Sequence, residues 1–203
     1  MGAQRNDEVT KAEWRAKLSA ARAAASVQQR VAEAAALGRA LSAMSLPGTV
    51  CGYVPFGTEP GSLSLLDLLR ERGARVLLPV IPAAPGPLDW ADYTGTASLS
   101  PGRFRQILEP TGPRLGPAAL AGAGLVLVPA LAVDHRGVRL GRGAGHYDRS
   151  LAHAAPGAAL VAVVRDAELV ERLPAEQHDV LMTGALTPGR GYVPLPVTNP
   201  CLR

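Results

Sequence analysis

VCGYVPFGTEPGSLSLLDLLRERGARVLLPV, residues 50–80, carries the pattern that decides the fold. Val50 to Val54 reads as a strand, Ser62 to Arg72 as a helix, and Arg75 to Val80 as a second strand. A strand, one helix and a strand in this order predict parallel neighbours in a layered α/β fold. The alternation continues toward the C-terminus. Ala118 to Ala123 predicts a short helix, Leu125 to Val128 a buried strand, Tyr147 to Ala154 a helix and Leu160 to Val164 a strand. Pro82 to Pro101 is rich in proline and glycine and reads as a long excursion.

Before residue 50 the pattern is helical. Glu8 to Ala25 is rich in Ala, Lys, Arg and Glu, with Thr10 or Asp7 available as a cap. Ser26 can cap a second run from Val27 to Met44, where Val31, Leu37 and Leu41 suggest an amphipathic face. Leu46-Pro47-Gly48 closes it. The expected architecture is therefore α/β, a three-layer fold with a mostly parallel sheet, preceded by an N-terminal helical pair. The whole chain, 1–203, reads as one domain.

At 47% hydrophobic and 19% charged residues, a disordered chain is excluded. The longest apolar stretches, such as Gly124 to Val133, fall far short of the ~20 residues of a membrane span. Met1 to Lys11 lacks the apolar centre of a signal peptide. Cys51 and Cys201 are too few for a disulfide framework and have no metal spacing. A soluble cytoplasmic protein is expected. The net charge is +4, and only Lys11 and Lys17 among the 21 basic residues are lysines. Basic residues outnumber acidic ones seven to four in 1–45 and seven to three in 103–149. Two separated positive segments can line one anionic site. Nucleic acid is a possible partner on charge, but an aromatic content of 4% supplies few stacking platforms for single strands.

The densest chemical signal is Gly141-Arg142-Gly143-Ala144-Gly145-His146-Tyr147-Asp148. It follows a turn at Asp134 to Gly137 and precedes a helix. Alternate glycines let the backbone approach a ligand closely, and amides at a helix start can bind phosphate. Arg142 and Arg139 would add donors for phosphate oxygens, and Asp148 a carboxylate for phosphate-bound magnesium. The segment fits neither the dinucleotide fingerprint, which needs glycine where His146 stands, nor the P-loop, which needs lysine followed by Ser or Thr. Spacing alone leaves phosphate binding and a structural turn both open.

The run from Val128-Pro129-Ala130-Leu131-Ala132-Val133-Asp134 to Gly141-Arg142-Gly143-Ala144-Gly145-His146-Tyr147-Asp148-Arg149 resembles the signature of the 5-formyltetrahydrofolate cyclo-ligase family, also called 5,10-methenyltetrahydrofolate synthetases. Further segments agree, in the family's order. Lys11-Ala12-Glu13-Trp14-Arg15, with Arg22 beyond, resembles its N-terminal basic helix, and Tyr53 to Pro60 its substrate-side loop. Glu109-Pro110 and His178-Asp179 match shorter motifs.

The resemblance implies an ATP- and Mg2+-dependent ligase that closes the ring of 5-formyltetrahydrofolate. It also implies a three-layer parallel-sheet architecture. Its small-molecule partners would be ATP and the folate, with no nucleic acid or membrane, and the protein is expected to be a monomer. Lys11 and Arg142 would be catalytic. ATP would be held by Lys11, Arg15, Gly141, Arg142, Gly143, Ala144, Gly145, His146 and Tyr147. Glu59, Tyr147 and Phe56 would face the folate, with Trp90 a further candidate to enclose the pterin. Asp148 and Asp179 match the magnesium carboxylates. Three positions depart from the family pattern. Ala144 stands where glycine or lysine is usual, His146 where tyrosine is more frequent, and Thr183 where an aspartate is frequent. A divergent member that binds folate or nucleotide without closing the ring is the alternative these departures motivate.

Overall fold

The structure, a computed structural model, describes residues 9–176 and 179–196. His178, Cys201 and the alternative cap Asp7 lie outside them. The first half contains helices α1 (Lys11–Ala24) and α2 (Val27–Ser42), strand β1 (Thr49–Cys51), helix α3 (Leu63–Glu71) and strands β2 (Arg75–Val80), β3 (Asp89–Asp92), β4 (Leu99–Pro101) and β5 (Leu108–Pro110). The second half contains strands β6 (Leu125–Pro129), β7 (Ala132–Asp134) and β8 (Arg139–Leu140), helix α4 (His146–Leu151), and strands β9 (Ala159–Val163), β10 (Leu169–Val170), β11 (Gly184–Thr187) and β12 (Gly191–Pro194).

Local chemistry sets the helix starts. Thr10 Oγ1 accepts from the Glu13 amide at 3.3 Å, and Glu13 Oε2 accepts from the Thr10 amide at 2.8 Å. This capping box begins α1 at Lys11; Glu8, the expected start, lies outside the described residues. Ser26 Oγ accepts from the Gln29 amide at 3.1 Å and caps α2 as expected. The expected helix at Ala118 to Ala123 is a 3-10 helix, Pro117–Gly122, opened by its proline.

Seven strands form one sheet in the order β12-β11-β9-β6-β1-β2-β3. The five central strands are parallel, while β3 and β12 pair antiparallel at the edges. β2 matches its expected range. The first expected strand is shorter than Val50 to Val54 because the chain leaves the ladder after Gly52, and the Tyr53 hydroxyl then ties the outgoing loop to the Pro60 carbonyl at 2.6 Å. The Pro82–Pro101 excursion contains the edge strand β3 and the start of the β4–β5 hairpin.

Alternation along the strands builds the layers. Val50, Val76, Leu78, Leu125 and Leu127 face Leu37 and Leu41 of α2 and Leu66 and Leu69 of α3. Cys51, Leu77, Val126, Val128 and Ala162 face the opposite cluster, with Leu120 of the 3-10 helix and Leu151 of α4. Helical pieces therefore cover both faces of a mostly parallel sheet, as the sequence predicts. A smaller sheet, β10-β7-β8, packs with Leu18 of α1. No helix among the described residues is long and apolar enough to cross a membrane.

In chain order the parallel strands are β1, β2, β6, β9 and β11, yet β1 sits between β2 and β6. Successive connections thus diverge at the carboxyl ends of β1 and β6, and a crevice opens there.

Leu41 is fully buried between α2 and the sheet, whereas Val31 on the same helix is 65% exposed. Leu41→Ala is expected to cost about 2–5 kcal/mol and Val31→Ala less than about 0.5 kcal/mol, measured by denaturant unfolding.

Candidate functional site

A cavity of about 270 Å³ lies at that divergence. Its apolar walls include Tyr53 and Phe56 after β1, Ile81 after β2, and Phe104 and Ile107 of the β4–β5 hairpin. Its polar side is the segment from Gly141 to Asp148, with Glu59 and Arg139.

The glycine segment is aimed by the turn before it. Asp134 is fully buried. Its Oδ1 accepts from the amides of Arg136 and Val138, each at 2.9 Å, and its Oδ2 from the Leu173 amide at 3.0 Å. This knot, with the Gly137 amide donating to the Asp134 carbonyl at 2.9 Å, closes the β7–β8 turn and delivers Arg139 to the cavity. Gly143 and Gly145 have φ of +101° and +69°, which favour glycine. Ala144 between them is not in this left-handed region, so its side chain fits without backbone strain.

Each cation of the site already has an acceptor. Arg15 Nε donates to the Gly141 carbonyl at 3.0 Å. Arg142 Nε donates to Glu59 Oε1 at 3.1 Å, and its guanidinium lies 4.6 Å from the Phe56 ring centre. Arg139 pairs with Asp148 and lies 5.8 Å from the Tyr147 ring centre. Lys11 Nζ lies 3.1 Å from Asp179 Oδ2 and 3.2 Å from Glu176 Oε1.

The structure therefore brings Phe56, Glu59, Tyr147, Asp148 and the glycine segment into one cavity, with Arg15 bonded to its rim. Lys11 and Asp179 meet each other and do not line that cavity. His146 Nδ1 lies 3.3 Å from the Gly86 carbonyl. Trp90 is fully buried in the core and does not enclose the cavity, because β3 turns its ring into the cluster around Leu120. Thr183 bonds the backbone of Leu160 just before β11 starts, at the amino ends of β9 and β11, so this departure lies away from the crevice. Phe104 and Ile107 are cavity residues that sequence reasoning did not assign, and Tyr53 was placed in the substrate-side loop without a role of its own. The only signal for Phe104 was an aromatic residue between two arginines.

Burial governs the ionisable groups. It pushes the Glu59 carboxyl up, against the opposing hydrogen bond from Phe56 and the charge of Arg142. It also pushes Tyr147 well up, so the phenol is neutral. The Tyr147 hydroxyl is buried and has no hydrogen-bond partner among the described residues. An orphaned donor in a cavity wall fits a site completed by a ligand. Cys51 is pushed up to about 12 by burial and supplies no thiolate nucleophile at neutral pH.

The carboxylates suit a magnesium ion that arrives on a polyphosphate. No group of three or more His, Cys, Asp or Glu gathers as a metal site among the described residues. Asp148 stands on the cavity wall with its side chain 40% exposed. Mg2+ keeps several waters and takes one or two carboxylates beside phosphate oxygens, so this donor set fits it.

Residues 7–188 match a profile described as the 5-formyltetrahydrofolate cyclo-ligase family. Over 172 residues the chain is 53% identical to a 5-formyltetrahydrofolate cyclo-ligase of Mycolicibacterium smegmatis, covering 82% of this chain and 87% of that protein. It is 32% identical over 148 residues to a protein of the same name from Escherichia coli, covering 70% and 79%. Among solved structures, it is similar to the Aquifex aeolicus 5,10-methenyltetrahydrofolate synthetase, with a TM-score of 0.75, 26% identity and coverage of 91% and 92%. A synthetase from Mycoplasma pneumoniae shares the fold at 18% identity, with a TM-score of 0.66 and coverage of 85% and 94%.

The raised Glu59 has a measurable sign. The unfolded chain ionises near the ordinary value of 4.5, while the folded chain keeps its proton to higher pH. Stability therefore falls as pH rises from there through the folded value, then levels. Glu59→Gln escapes that loss. It is expected to melt at a higher temperature than the parent at pH 7, with the difference closing below the ordinary value; calorimetric scans across pH check this.

Proposed function

The chain belongs to the 5-formyltetrahydrofolate cyclo-ligase family, and from that premise we propose that it couples ATP hydrolysis to closure of 5-formyltetrahydrofolate, giving 5,10-methenyltetrahydrofolate, ADP and phosphate. The observation that best supports this reading is the position of Arg142. It belongs to the glycine segment, yet its guanidinium touches both Glu59 and Phe56. A phosphoryl group held by the segment would thus meet a folate held by Glu59 and Phe56 at one point.

A formamide carbonyl is a poor electrophile, and its oxygen is a poor leaving group. Transfer of the γ-phosphoryl to the formyl oxygen breaks the bond to ADP and forms an imidate phosphate. Folate N10 then attacks the formyl carbon, the C–O bond breaks with release of phosphate, and N10 loses its proton. Phosphoryl transfer asks the protein chiefly for positioning and charge neutralisation. Arg15 and the backbone of Gly141 to Tyr147 orient the polyphosphate, and Arg142 offsets charge at the transferring group. Lys11, on the same face of α1 and beside Asp179, adds a cation for the nucleotide.

Glu59 accepts N–H donors of the pterin, Phe56 flanks the ring, and the Tyr147 hydroxyl finds in the substrate the partner it lacks in the protein. Mg2+ bound with the nucleotide supplies neutralising charge on the phosphates. Asp148 would hold it from the cavity wall and Asp179 from beside Lys11.

Purified protein is expected to form methenyltetrahydrofolate, followed by absorbance, only when ATP and Mg2+ are both present. Lys11→Ala and Asp148→Ala are each expected to lower kcat/KM by about 10²-fold or more. Ligand binding without any product would instead identify a non-catalytic member.

A further inference from the structure

Positions 11, 15, 18 and 22 recur at helical spacing and share one face of α1. On an ordinary amphipathic helix the face turned to the protein is apolar. Here it reads Lys, Arg, Leu, Arg. The first two cations are those proposed for ATP. The third is 1% exposed and does not line the cavity. Arg22 Nε donates to Glu168 Oε1 and its Nη2 to Glu168 Oε2, both at 2.7 Å, while Nη2 also donates to the Ala130 carbonyl at 2.6 Å. Glu168 is 4% exposed, and its Oε2 accepts from the Arg165 amide at 2.8 Å. Arg165 in turn reaches Glu33 of α2 at 2.7 Å.

Stability alone does not account for this arrangement. Desolvating two charges offsets most of their attraction, and an apolar pair of like volume holds a core as well or better. Leu18, on the same face, does pack apolarly against Leu131, Val138, Leu140 and Leu173. What the charged pair adds is direction, because a bidentate guanidinium fixes both plane and angle. Its third bond holds Ala130, which follows β6 at the crevice and lines the cavity. The Arg22 charge is also felt at the folate side, where it opposes the upward push of burial on Glu59.

We propose that Arg22 is a positioning residue that serves both halves of the reaction, setting where α1 presents Lys11 and Arg15 to the polyphosphate and holding the cavity wall at Ala130 for the folate. This rests on the function proposed above. Three groups of charges and phenols act on Glu59, by contact or through space. They are Arg142 from the glycine segment, Tyr53 and Tyr147 from the cavity, and Arg22 from α1. Arg30, Glu33 and Arg165 surround a neighbouring cavity that shares Glu59.

The test compares Arg22→Lys, which keeps the charge without the fork, with Arg22→Met/Glu168→Gln, which removes both buried charges together. Thermal unfolding, affinity for a non-hydrolysable ATP analogue, kcat, both KM values and the pH profile of kcat/KM for 5-formyltetrahydrofolate are measured. Both variants are expected to unfold cooperatively, to bind the analogue more weakly and to lose about 10²-fold in kcat/KM for ATP. The double variant removes a cation and an anion together, so the pH profile is expected to keep its parental limbs, and the loss is read as weaker analogue binding and lower kcat/KM. A merely structural role would lower the melting temperature and leave analogue affinity and kcat/KM parental at the assay temperature. A double variant with parental analogue affinity and kinetics overturns the proposal. If the parent protein does not turn over the folate, the proposed reaction falls. Analogue affinity then still decides Arg22's hold on α1: weaker binding in both variants supports it, and unchanged binding overturns it.

Discussion

The constraint on which the site depends is the docking of α1 through a face that is mostly cationic. Each buried or half-buried charge on that face must find an acceptor, since an unpaired one would be costly. Lys11 finds Asp179, Arg15 the Gly141 carbonyl, and Arg22 Glu168 with the Ala130 carbonyl. These acceptors come from separate parts of the chain: Ala130 follows β6, Gly141 follows β8, Glu168 follows β9, and Asp179 lies between β10 and β11. An apolar helix could slide by a residue at modest cost, whereas this one can dock in a single register.

The sheet supplies the place and the loops supply the chemistry. Strand order opens the crevice between β1 and β6, and the residues that line it arrive on short connections. The buried Asp134 carboxylate organises one of them by accepting from three backbone amides. Glu59 and Arg142, from loops 83 residues apart, then close on each other across the opening. Cationic and aromatic walls therefore meet where the fold itself leaves a gap.

The long elements were legible in the sequence because their periodicity and caps are local. α2 begins at its serine and β2 spans its apolar run. Apart from β1, read from the apolar run that outlasts it, the strands of two to four residues were not legible, since β7, β8 and β10 are too short to show alternation and exist only through partners far along the chain. β3 was hidden in a proline-rich stretch, and β11 with β12 by a Thr-Pro-Gly turn. At the site, the glycine segment and Glu59 were readable as motifs. Phe104 was not, because it is a lone aromatic that becomes informative only when a hairpin folds it over the cavity. Arg22 stood at a legible spacing, but its burial depends on Glu168, 146 residues away.

That separation bears on how the chain is made. α1 is synthesised before its docking partners, which lie 108 to 168 residues further on. Until they emerge, the helix has nothing to pack against. An apolar docking face would spend that interval exposed and prone to association. A face of lysine and arginine is well solvated while it waits, and the capping box at Thr10 holds the helix start with local bonds alone. The same charges that are proposed to grip a nucleotide in the finished protein keep α1 solvated before its partners are made.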